Sequence, residues 1–130
     1  MIEYIRGDSP RGKWSGMDTQ ALARRVVELL EEKQASDIML LDLRSLRTFA
    51  DFFVICSGGS ERQLKSLLDV VDEGVAEEYG LETKTEGMTS AGWVLLDYGD
   101  VVVHIFSNEM RDFYRLERLW DAATPLVVVQ

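Results

Sequence analysis

The chain has 130 residues, 46% of them hydrophobic and 28% charged, and a formal net charge of −9. That length suits one domain with a single core, and that composition argues against disorder. An acidic surface repels phosphate backbones, which speaks against direct, sequence-specific reading of DNA or RNA and favours basic protein partners.

The single cysteine, Cys56, cannot form an internal disulfide, and with one histidine, His104, no Cys/His zinc cage can be assembled. Cys56 lies in an apolar run and reads as a buried, inert thiol. A hard-cation site made of carboxylates alone stays open. No apolar run approaches the roughly 20 residues that span a bilayer, and no signal-peptide pattern opens the chain. The expectation is a cytoplasmic protein without membrane contact.

Residues 1–16 (MIEYIRGDSPRGKWSG) hold four turn-forming residues and no sustained period, so they read as an irregular arm. Trp14 in it could dock on the domain or on a partner, and Met17 could itself be a start. Asp18 or Thr19 can cap a helix in which Leu22, Val26, Leu29 and Leu30 recur at helical spacing. DIMLLDLR (37–44) and FFVICSG (52–58) are short apolar runs suited to strands covered on both faces, with Asp42 the polar exception. The link from Ser45 to Asp51 is too short for a crossover helix, which predicts antiparallel neighbours.

Gly58-Gly59 breaks the second strand, and Ser60-x-x-Gln63 is a capping box. Leu64, Leu67, Leu68, Val71, Val75 and Tyr79 then form one apolar stripe, and Gly80 suits the C-terminal cap. LETKTEG (81–87) reads as a polar edge strand, where charge discourages aggregation.

Trp93–Tyr98 and Val101–Phe106 flank Gly99-Asp100, a two-residue loop with glycine first, which signals a hairpin. The implied register puts Val94, Leu96, Tyr98, Val101, Val103 and Ile105 on one apolar face, the natural seat for helices. The other face pairs Trp93 with Phe106, Leu95 with His104, and Asp97 with Val102. Such a mixed face is either covered by another layer or used for recognition. His104 reads as a cross-strand neighbour of Leu95 with its ring hydrogen-bonded internally, since no serine or cysteine nucleophile is suggested beside it.

Ser107 or Asn108 can cap a last helix in which Met110, Phe113, Leu116 and Trp120 form an apolar stripe. Glu117 falls inside that stripe, and a buried carboxylate needs a cation. Either Arg111 or Arg115 pairs with it, or a Tyr114–Glu117 pair is presented to a basic surface.

The strings DFFVICSGGSERQ (51–63), EG (86–87), GWVLLDYGDVVVHIF (92–106) and RDFYRLERLW (111–120) resemble the ribosomal silencing factor, or Iojap, family. The resemblance runs over 17–120, leaving 121–130 as a C-terminal tail. It implies an α/β domain built on one mixed sheet of about five strands flanked by helices, nucleotidyltransferase-like in fold, with no catalytic residues, cofactor or metal. It also implies a function: binding the large ribosomal subunit at its protein number fourteen and sterically blocking the small subunit when nutrients are short. Family recognition residues carry over onto Trp93, Tyr114 and Glu117, with Leu95 and His104 beside them on the mixed face.

Two other classes compete with this reading. A nucleotidyl-transferring enzyme needs carboxylates alternating on a strand to hold a metal, whereas Asp69/Asp72 and Asp97/Asp100 are each three apart. A dimerising adaptor could pair two copies through the 81–87 strand or the Trp93 face, and a homodimer could compete with ribosome binding.

Overall fold

A computed structural model of the chain describes residues 18–46, 50–115 and 124–129. Their elements run α1 (Thr19–Glu32), β1 (Ser36–Asp42), β2 (Phe52–Gly58), α2 (Glu61–Tyr79), β3 (Lys84–Met88), β4 (Trp93–Asp97), β5 (Val101–Ser107), α3 (Asn108–Tyr114) and β6 (Thr124–Val129). The strands form one mixed sheet in the order β3-β4-β5-β2-β1-β6. The arm 1–16 lies outside the described residues.

The capping residues expected from sequence do their work. The Asp18 carboxylate accepts from Ala21 N–H at the start of α1. Ser60 Oγ accepts from Gln63 N–H, and Gln63 Oε1 reaches back to Gly59 N–H rather than to that of Ser60. The amide of Gln63 also donates to the carbonyls of Lys33 and Gln34, so one side chain ties the end of α1 to the start of α2. Gly80 closes α2 in the left-handed conformation.

Both long helices pack on the same face of the sheet. Leu22, Val26 and Leu30 of α1 and Leu64, Leu67, Val71 and Val75 of α2 meet Leu96, Tyr98, Val101, Val103 and Ile105, the apolar hairpin face. Each fully buried leucine here contributes about 1.5–3 kcal/mol relative to exposure. Outside this core the Arg25 guanidinium grips Glu78 with two hydrogen bonds of 2.8 and 2.9 Å, linking α1 to α2 at the surface.

The hairpin register is the expected one, from Trp93 opposite Phe106 to Asp97 opposite Val102. Tyr98 N–H donates to Val101 O at 2.9 Å, and Gly99 takes a φ of 88°, which its lack of a side chain permits. β1 and β2 pair antiparallel, also as expected. The centre of the sheet is a parallel pairing of β2 with β5, from Phe52–Val101 to Gly58–Ser107.

Two features differ from the sequence reading. The sheet has six strands, not five, because Thr124–Val129 pairs antiparallel with β1. The backbone of this apolar run, rich in β-branched valines, satisfies the outer N–H and C=O groups of β1. The polar edge strand begins at Lys84 and not Leu81, which is buried just past Gly80 and closes the end of α2. The described part of the last helix is Asn108–Tyr114, capped at Arg115, and the expected continuation to Trp120 lies outside the described residues. Arg115 turns into the left-handed region at a φ of 46°, and its side chain folds back onto Asp112 O and Oδ1 at 3.0 and 3.1 Å.

Candidate functional site

The sheet face turned away from α1 and α2 carries a second, smaller cluster. Leu41, Phe53, Ile55, Val102 and Phe106 are buried there, with Met39, Trp93, Leu95 and Met110 half-buried around them. The parallel β2–β5 pairing brings Phe53 beside the hairpin residues, which no local sequence signal announces.

Trp93 sits at the start of β4 and stacks on Phe106, with ring centroids 5.2 Å apart. Its indole Nε1–H donates to His104 Nδ1 at 3.3 Å. That bond assigns the histidine as a neutral ring with its proton on Nε2. Phe53 packs edge-on to the imidazole at 4.7 Å. Burial lowers the His104 pKa to about 4, since the charged form has lost its water. Among the described residues Nε2 is buried with no hydrogen-bond partner. The expected internal hydrogen bond is therefore present at one ring nitrogen and missing at the other. His104 is buried, whereas Trp93 and Leu95 beside it are half-buried.

At the end of β5, Ser107 Oγ accepts from Met110 N–H and so caps α3. Ser107 N–H in turn donates to Gly92 O at 2.9 Å, which fixes α3 against the start of β4. Gly92 has a φ of 80°, and a methyl group on it would come within 2.7 Å of Met110 Cγ and of Ser107 Oγ. Arg111 is buried and reaches across the sheet end, donating to Asp37 O at 2.8 Å and Ser57 Oγ at 2.9 Å. Met110 packs into the smaller cluster, whereas Phe113, expected on the same buried stripe, is 73% exposed.

The sequence-selected residues thus divide. Trp93, Leu95 and His104 are brought together on the mixed face. Tyr114 ends α3, but its side chain, like the whole of Glu117, lies outside the described residues.

The features considered for an enzyme take structural roles. Ser60 caps α2, and Gly58 packs so tightly that a methyl group would lie 2.8 Å from Leu64 Cδ2. Asp97 Oδ1 accepts from Gly99 N–H at 2.7 Å within the hairpin turn. Among the described residues no group of three His, Cys, Asp or Glu side chains is placed to hold a metal ion. Cys56 is fully buried in β2, and burial pushes its thiol up to about 12. No helix among the described residues is long and apolar enough to cross a membrane.

Residues 16–130 match the family model described as ribosomal silencing factor during starvation. The chain belongs to that family. The bacterial relatives reported for it agree along most of their length. The ribosomal silencing factor of Halalkalibacterium halodurans is 42% identical over 110 residues, covering 83% of this chain and 93% of that protein. A crystal structure of a Chromobacterium violaceum protein superposes with a TM-score of 0.75 at 36% identity, over 81% of this chain and 88% of that one. A Mus musculus protein named mitochondrial assembly of ribosomal large subunit protein 1 is 31% identical over 101 residues, 73% of this chain but 43% of its own length. The family match includes residues 121–130, in which β6 lies.

Proposed function

We propose that this protein silences translation by occlusion. It docks on the large ribosomal subunit at the subunit's protein number fourteen, and its bulk then occupies space that the small subunit needs, so fewer ribosomes assemble when nutrients are scarce. Membership of the silencing-factor family across residues 16–130 carries this reading. The mouse relative's name, which refers to the large subunit, points the same way.

Residue physics supports the choice of a protein target. A net charge of −9 disfavours rRNA phosphates and favours a basic ribosomal protein. Trp93 and Leu95 are half-buried on a face otherwise closed by aromatic packing, the kind of rigid apolar anchor that interfaces use. Tyr114 and Glu117 complete the proposed contact from the last helix onward, and His104 acts on the partner through the indole it supports. The mechanism makes and breaks no bond, requires no cofactor, and operates in the cytoplasm.

Co-sedimentation tests it directly. The full chain should pellet with purified large subunits, should not pellet with small subunits, and should lower the yield of joined ribosomes when added before mixing. Failure to bind large subunits would end the silencing reading.

A further inference from the structure

The mixed face does not stop at Trp93 and Leu95; it continues onto the edge strand β3. There Glu86 stands opposite Leu95 and Met88 opposite Trp93. Directly opposed residues of antiparallel strands share a face, so Glu86 extends the row through Leu95 and His104 to Ile55. Glu86 is exposed and makes no ion pair or side-chain hydrogen bond among the described residues. Its row contains no lysine or arginine, whereas Lys84, the next residue of β3 on the same face, stands opposite Asp97. Met88 is 62% exposed, a large apolar side chain beside the anchor tryptophan.

Gly87, between them, holds this edge close to its neighbour. Its φ is 86°, and a methyl group there would lie 2.3 Å from Trp93 O, so only glycine lets the strand approach this far. Glu86 and Met88 are thereby carried at a set distance from the backbone of the anchor residue.

We propose that Glu86 and Met88 form the outer margin of the partner-binding face. Glu86 receives a lysine or arginine of a basic protein on the large subunit, and Met88 packs against that residue's aliphatic stem. The inference rests on the silencing function above and adds to it a third strand of the sheet. An unpaired carboxylate next to an exposed thioether and a tryptophan matches a long cationic side chain, which is part apolar and part charged. The same carboxylate repels RNA phosphate.

The test uses the full chain and purified large subunits, with affinity and association rate measured at low and at physiological salt. Glu86→Lys should weaken binding on the order of tenfold, mainly through slower association, with a smaller dependence on salt. Met88→Ala should weaken it several-fold through faster dissociation. Thr85→Lys is the control: it lies on the same exposed strand but opposite Leu96, on the helix-covered face, and should bind like the wild type. Circular dichroism and melting temperature should match the wild type for all three. Wild-type affinity in Glu86→Lys, or an equal loss in Thr85→Lys, overturns the inference while leaving the function standing. Absence of wild-type binding overturns the function and the inference together.

Discussion

Acid should destabilise this fold through His104 in a way that one substitution abolishes. The imidazole is 6% exposed, and its pKa is lowered from 6.5 to about 4 by the loss of water around it. Protonation would also turn Nδ1 from an acceptor into a second donor facing the Trp93 N–H. The folded pKa lies below the unfolded one, so between pH 6.5 and pH 4 the unfolded chain holds a proton that the folded chain does not. Stability from this residue is therefore fully present above the unfolded pKa and is lost as pH falls through that window. At about 1.4 kcal/mol per pH unit the loss comes to about 3 kcal/mol. That is a large share of a domain's net stability of roughly 5–15 kcal/mol. His104→Phe keeps a planar ring in the cluster and cannot titrate. Urea unfolding of both proteins at the two ends of the window gives the comparison, because carboxylates titrate in both and the lost Trp93 bond is a constant offset. The wild type should lose about 3 kcal/mol more than the variant on acidification. Parallel pH profiles would refute the buried, neutral histidine.

Two further outcomes are expected. Glu117→Arg should weaken large-subunit binding on the order of tenfold or more while far-ultraviolet circular dichroism stays unchanged; an unfolded variant would show that Glu117 is held by an internal cation instead. Gly92→Ala should lower the urea midpoint by an amount equivalent to about 1–3 kcal/mol, since it combines a φ of 80° with contacts of 2.7 Å to Met110 and Ser107; an unchanged midpoint would mean that α3 shifts freely.

What the sequence made legible follows from how local each signal is. The hairpin was readable to the residue because Gly99-Asp100 sets the register, and the register sets both faces. The helix starts were readable because caps are local contacts between a side chain and a nearby N–H. The parallel β2–β5 pairing was not, since neither strand carries a mark of its partner, and Phe53 was missed from the aromatic cluster for that reason. β6 is hidden in the sequence because Pro125 near its start masks a four-residue apolar run, which is the available clue. The left-handed Arg115 that caps α3 was not legible, because no pattern of apolar residues reports backbone geometry. Glu117 lies outside the described residues, and its assignment rests on the family resemblance.

The central position of the β2–β5 pair also sets the order in which this protein can be made. Phe52 must find Val101, so the sheet cannot close until α2, β3 and β4 have all been synthesised. The β4–β5 hairpin can form early from its own turn, but joining it to β2 requires closing a long loop, which slows folding. Until β5 emerges, β2 presents an apolar strand with one unpaired edge to its surroundings, the arrangement most prone to wrong pairing. A chain stalled before Val101 would be held in that vulnerable state for as long as the stall lasts.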